Sequence, residues 1–103
     1  MKSTKTKKVN SFDIDRLAHA VAIAETGNCT RGMGRTRKNC FGVMSWSGGV
    51  RHGKRYKTKA DSYADFKRIW LKHYKGFPTY SMAVKWTGND NAARWLKIVK
   101  ANY

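Results

Sequence analysis

The 103 residues suffice for one domain with one modest hydrophobic core. Apolar residues are 41% of the chain, which excludes a disordered basic tail. No apolar run approaches the ~20 residues that a membrane-spanning helix requires, and 22 lysines and arginines against 6 aspartates and glutamates give a formal net charge of +16. A field of that size selects polyanions: nucleic acid, an anionic membrane surface, or a bacterial wall with its carboxylates and phosphate-bearing polymers. Charge taken alone favours nucleic acid.

Residues 1–10 (MKSTKTKKVN) are polar and basic and read as a flexible arm, leaving 11–103 as a single domain. No signal peptide is expected, because Asp13, Asp15 and Arg16 interrupt the apolar region that should follow a basic start. A helix is expected from Ser11, a suitable N-cap, with Asp13 at the positive end of the helix dipole. Phe12, Leu17, Val21 and Ala24 recur at helical spacing, with Ile14 and Ala18 on the same face, and Gly27 and Asn28 stop the run. Glu25, the only glutamate in the chain, therefore falls in the last turn of a largely apolar helix.

Residues 30–55 are rich in glycine and contain no acidic side chain. Within and just beyond them, 41–46 and 50–56 predict two small strands around a Ser47-Gly48-Gly49 turn. A second helix is expected over 61–74, with Phe66, Ile69, Trp70 and His73 as its buried stripe and Gly76 and Pro78 as its end. A short helix follows over 79–86. After a break at Thr87-Gly88-Asn89, a last helix over about 90–101 should bury Trp95, Leu96, Ile98 and Val99. There is no internal repeat. The expected class is α+β, mainly α, with helices around a small Gly-rich β-hairpin lobe.

Glu25 is the residue with most chemical promise. A carboxyl desolvated at the end of an apolar helix gains pKa, and a general acid for glycosidic cleavage needs that gain to hold its proton near neutral pH. The opposing reading is an ordinary solvated glutamate, and the +16 field pushes the pKa down. Catalysis requires local burial to outweigh distant charges, which solvent and salt screen.

Four stretches resemble one family in order. Ala22-Ile23-Ala24-Glu25-Thr26-Gly27 is similar to the catalytic-helix motif of the bacterial peptidoglycan glucosaminidases. That family includes autolysins, flagellar-rod muramidases and phage lysins, often described as mannosyl-glycoprotein endo-beta-N-acetylglucosaminidase-like. Asn39-Cys40-Phe41-Gly42 resembles its N-x-F-G signature. Arg55 to Thr58, followed by Asp61 to Phe66, resembles an aromatic strand leading into a helix, and Lys85-Trp86-Thr87-Gly88-Asn89 aligns with the late Y-A-T-D motif. The resemblance covers roughly residues 17–100. It implies a lysozyme-like domain, a cleft between a helical lobe and a β lobe, and Glu25 as general acid. It further implies that Asn39 and Phe41 shape the wall beside the acid and that Tyr56 and Trp86 line sugar subsites.

Sugar rings present apolar C–H faces that pack on aromatics, while their hydroxyls and acetamides seek amides such as Asn39 or Asn89. Trp46, on the predicted hairpin, is a further platform. The alternative for each aromatic is core packing. Two departures stand out: residues 30–60 offer no second carboxylate, and Trp86 and Asn89 replace the Tyr and Asp of the late motif. Three routes remain for the second half of the reaction: assistance by the substrate's acetamide, a water positioned by Asp90, or attack by a sugar hydroxyl as in lytic transglycosylases.

Cys29 and Cys40 bracket an Arg-rich loop. A disulfide there would pin the turn after Glu25 to the N-x-F-G segment; two reduced thiols are the alternative. These cysteines with His19, His52 and His73 do not match zinc-site spacing, and Gly32-Met33-Gly34 lacks the third glycine of a dinucleotide fingerprint, so neither metal nor cofactor is expected. The expectation is a monomeric peptidoglycan hydrolase acting at the cell wall, with glycan strands and anionic wall polymers as partners. Its rivals are a cationic nucleic-acid-binding module, with Arg31, Arg35, Arg37 and Lys38 on phosphates, and a catalytically dead wall-binding or membrane-disrupting domain.

Overall fold

A computed structural model describes residues 12–103. The expected basic arm over 1–10 and the expected cap at Ser11 lie outside the described residues. The fold is α+β and mainly α, with helices α1 (Ile14–Thr26), α2 (Gly32–Thr36), α3 (Lys59–His73), α4 (Tyr80–Thr87) and α5 (Asn89–Asn102). One antiparallel hairpin, β1 (Met44–Ser47) and β2 (Val50–Gly53), completes it, with Met44 opposite Gly53 and Trp46 opposite Arg51. No described helix is long and apolar enough to cross a membrane.

The first helix is the centre of the packing. Its N-cap is Asp13, whose carboxylate accepts from the backbone N–H groups of Asp15 and Arg16 at 2.9 and 3.1 Å. Tyr103 closes over this end: its hydroxyl accepts from the Asp13 N–H at 2.8 Å, and Arg16 Nε donates to its carbonyl at 2.7 Å. Leu17, Ala18, Ala20, Val21 and Ala22 are all fully buried. Small alanines let α1 approach its neighbours α5 and α3 closely, and α4 packs in turn on α5.

An aromatic ladder on α3 forms the other half of the core. Phe66, Trp70 and Tyr74 recur every four residues, and successive rings stack at 5.7 and 4.2 Å between centroids. Phe41 stacks on Phe66 at 4.4 Å, and Trp86 from α4 meets Phe66, Trp70 and Tyr74 edge-on. The fully buried Phe41, Phe66 and Trp70 each contribute about 1.5–3 kcal/mol by leaving water, with offset and edge contacts adding to that. The expected stripe on α3 is corrected at one position. His73 is exposed, because the four-residue recurrence carries the buried face to Tyr74 instead.

The segment between α1 and the hairpin is built by covalent and polar ties. Gly27, Asn28 and Cys29 take left-handed φ values of 58°, 57° and 71°. Only glycine adopts that region without cost, and the two L residues are held there by a disulfide and a buried hydroxyl. Cys29 is disulfide-bonded to Cys40, with Cα atoms 4.6 Å apart. The buried Thr26 hydroxyl donates to the Cys40 carbonyl at 2.8 Å and accepts from the Cys29 N–H at 2.9 Å. Sequence reading missed α2, since Gly32 and Gly34 lower helix propensity. The helix exists through contact: a Cβ on the buried Gly34 would lie 2.5 Å from the Cys29 Cα.

The hairpin is shorter than expected. Residues 41–43 and 54–56 leave it, although the Lys54 N–H still donates to the Val43 carbonyl at 2.8 Å. Gly48 and Gly49, at φ 58° and 77°, make the turn.

Candidate active site

Glu25 occupies the penultimate position of α1, where the helix turns away from its apolar packing. Both indole N–H groups of the surrounding tryptophans converge on one carboxyl oxygen. Trp95 Nε1 donates to Oε2 at 2.8 Å and Trp86 Nε1 donates to the same atom at 3.0 Å. Trp95 is nearly fully buried on α5, and Trp86 is wedged into the α3 ladder, so both donors are fixed by core packing. Burial is the largest influence on the carboxyl and pushes its pKa above the usual carboxylate range. The bonds from Trp95 and Trp86 and the nearby Arg94 charge pull the other way without overcoming it. The donors are neutral, so they stabilise the anion less than cations at the same distance would.

That arrangement distinguishes the two oxygens. With Oε2 accepting two N–H bonds, the acidic proton of the neutral form belongs on Oε1. Oε1 faces Gly42, where an added Cβ would sit 3.6 Å from it. Gly42 has φ 71° and lines the larger of two hollows that flank the acid.

The larger hollow has a volume of about 310 Å³ and lies between the hairpin and the helices, with Trp46, Arg51, Tyr74, Lys85 and Trp86 among its walls. The smaller, of about 150 Å³, is lined by Glu25 itself with Thr87, Asn91, Arg94, Trp95 and Ile98. Trp86 links the two, since it walls the larger hollow and bonds the acid that opens into the smaller.

Of the residues expected to meet a ligand, Glu25, Trp86 and Trp46 gather around these hollows, and Trp46 is 71% exposed on β1. Asn39 requires correction. It is fully buried, and its amide donates to the carbonyls of Val43 and Lys54 at 2.8 Å each while its oxygen accepts from the Val43 N–H at 3.1 Å. It braces the loop from behind, with no atom left for a sugar. Phe41, at 1% exposure, is likewise core beneath the site. Asn89 is exposed at the start of α5 and lines neither hollow; its neighbour Asn91 takes that place.

Tyr56 also lines neither hollow. Its hydroxyl donates to Asp65 Oδ2 at 2.5 Å, and burial together with that carboxylate pushes the phenol well up. The same Oδ2 pairs with Lys54 at 2.9 Å, and Arg68 pairs with Oδ1 at 2.6 Å. Burial pushes Asp65 up, but the bonds from Tyr56, Lys54 and Arg68 prevail and hold it at about 2.

The remaining aspartates have posts elsewhere. Asp13 caps α1, Asp15 pairs with Lys67 at 2.9 Å, and Asp61 and Asp90 lie in the first turns of α3 and α5. Glu25 is therefore the one carboxyl lining either hollow. No group of three or more His, Cys, Asp or Glu side chains suited to a metal ion occurs among the described residues. Sequence reading placed Trp95 in the core, where it is, without seeing that its indole N–H also serves the acid. No local signal marks that role, which depends on how α5 crosses α1. Comparison with protein-family models, with curated proteins and with solved structures found no match for this chain.

Proposed function

We propose that this protein is a peptidoglycan hydrolase of lysozyme-like architecture that cleaves β-1,4 glycosidic bonds of the wall glycan, with Glu25 as general acid. The observation that carries the reading is the setting of Glu25. It is the chain's only glutamate, desolvated, gripped on one oxygen by two indole N–H groups, and set beside a hollow walled by tryptophan and tyrosine. The order of the four family-like stretches supports the same chemistry, and the +16 charge suits an anionic wall.

In this mechanism Glu25 Oε1 delivers its proton to the glycosidic oxygen as the bond to the anomeric carbon breaks. The bonding electron pair leaves with that oxygen, and an oxocarbenium-like centre develops on the sugar. The Trp86 and Trp95 donors then hold the Glu25 carboxylate that remains. With no second carboxyl in either hollow, the electron-deficient carbon is captured by the substrate's own acetamide oxygen or by its C6 hydroxyl. The first gives an oxazoline that water then opens, the second an anhydro end. In either case the proton released by the water or hydroxyl returns to the Glu25 carboxylate. Asp90 is set aside as the base because it lines neither hollow.

Clearing of purified peptidoglycan by wild type and by Glu25→Gln, with mass spectrometry of the new ends, tests the proposal. Wild type should clear the suspension and the variant should lose at least about 100-fold, the lower range for a general acid. An N-acetylated or anhydro sugar end would identify a glycosidase. Cut peptide stems on intact glycan would sink the assignment. Absence of clearing by folded wild type, with retained binding to nucleic acid, would turn the reading to a polyanion-binding module.

A further inference from the structure

The larger hollow carries charge that proton donation does not use. Its hairpin wall presents Trp46 and Arg51, which are direct cross-strand partners and so point to the same face of the hairpin. Its helical wall presents Tyr74, Trp86 and Lys85, with Lys85 Nζ 4.9 Å from the centre of the Tyr74 ring. Each wall thus pairs a flat ring with a cation. Neither Arg51 nor Lys85 enters an ion pair among the described residues, and no acidic side chain lines the hollow. Two cations converging on one small cavity repel each other unless an anion lies between them. The volume of about 310 Å³ is at the small end for ligand sites, room for one substituted ring rather than a chain.

We propose that this hollow is the subsite for an acidic amino sugar, whose ring packs on Trp46 and whose carboxylate is held between Arg51 and Lys85. The inference rests on the glycosidase reading for its substrate class, and it assigns the acidic unit of the alternating glycan to the hairpin side of Glu25. The ligand chemistry is a carboxylate on or next to the ring. Its source is either the lactyl group of a peptide-free unit or the nearest free carboxylate of an attached peptide stem. Arginine and lysine both bind carboxylates by charge-assisted bonds, with arginine able to take both oxygens at once.

Binding is measured calorimetrically on the Glu25→Gln protein, so that cleavage does not interfere. The probes are a peptide-free tetrasaccharide containing muramic acid, the same glycan bearing its stem, and neutral chitotetraose. Adding Arg51→Gln and Lys85→Gln should weaken an acidic probe by about tenfold or more, the loss of charge-assisted bonds, while leaving chitotetraose within about twofold. Both residues are exposed, so the fold is retained. In the stem-bearing probe the lactyl carboxyl is tied up as an amide, so loss on the peptide-free probe alone identifies the lactyl carboxylate. Loss on the stem-bearing probe alone identifies the stem, and loss on both shows that either carboxylate fills the site. Lys97→Gln, an exposed charge on α5 outside both hollows, should change none of the three. Equal weakening of acidic and neutral probes, or a loss no larger than that from Lys97→Gln, would overturn the subsite. Clearing by wild type is read separately. Charge-selective binding without cleavage keeps the subsite and removes the hydrolase reading, whereas cleavage without charge-selective binding does the reverse.

Discussion

Glu25 and Asp65 are two carboxyls that burial pushes in the same direction, yet they end on opposite sides of the ordinary range. Asp65, about one-tenth exposed, accepts from Tyr56, Lys54 and Arg68, two of them cations, and is held at about 2. Glu25 accepts from two indoles with no charge of their own, and its pKa stays raised. Desolvation alone does not decide a carboxyl's state; the depth of burial is set against the number of its donors, the neutral Tyr56 hydroxyl first among those of Asp65 and two cations after it. One of these sites is built to remain an anion and hold the loop before α3 in place. The other favours its protonated form, as the proposed proton donor requires.

The largest perturbation of this contrast comes from the disulfide. Cys29→Ser with Cys40→Ser should cost about 3 kcal/mol in chemical denaturation, the value for a loop of this length. Loosening the turn after Glu25 should admit water there and bring its pKa down toward the ordinary value, while Asp65 keeps its own. Equal movement of both groups would show that the two sites are not separately supported.

Next in size is Asp65→Asn, which should cost about 1–2 kcal/mol at neutral pH by weakening the bonds to Tyr56, Lys54 and Arg68. The folded pKa of Asp65 lies below its unfolded value of about 3.9. Its contribution is therefore complete above that value and is lost as pH falls toward about 2. Denaturation of wild type and variant should converge over that interval.

Glu25→Gln should behave in the opposite sense. A raised folded pKa disfavours the native state once the group is ionised in the unfolded chain, so wild type loses stability as pH rises through the Glu25 transition. The variant should gain on wild type as pH rises from the unfolded glutamate value of about 4.3 through the raised folded midpoint. A variant that loses ground over that interval would mean that the anion is the favoured native form.

The smallest effects concern the donors. Trp95→Phe removes one N–H bond that favours the anion, so the alkaline limb of the clearing rate should move to higher pH. Arg94→Gln should move it the same way but less. That shift should fade at high salt because Arg94 is exposed.

Much of this was legible in the sequence. The glycine after an apolar run placed Glu25 at a helix end, and the Ser47-Gly48-Gly49 signal located the hairpin turn. Trp46 and Trp86 were expected near a ligand, and both wall the larger hollow. What escaped depends on contacts between distant elements. Asn39 reads as a polar residue available to a sugar, yet its amide is consumed by the backbone of its own loop. Tyr56 reads as a platform, yet Asp65, nine residues on, captures its hydroxyl across the start of α3. Trp95 reads as core because apolar spacing reports burial and is silent about where one indole N–H will point.

The most direct test of the central claim uses the fact that Glu25 is the only glutamate. Protein labelled with ¹³C at the glutamate side-chain carboxyl should show a single side-chain carboxyl resonance, which can be titrated without assignment. The account predicts a midpoint clearly above the ordinary glutamate value of about 4.3, rising further in Trp95→Phe. A midpoint at or below that value would mean that Glu25 is an ordinary anion at neutral pH, and the proposed proton donor would be lost with it.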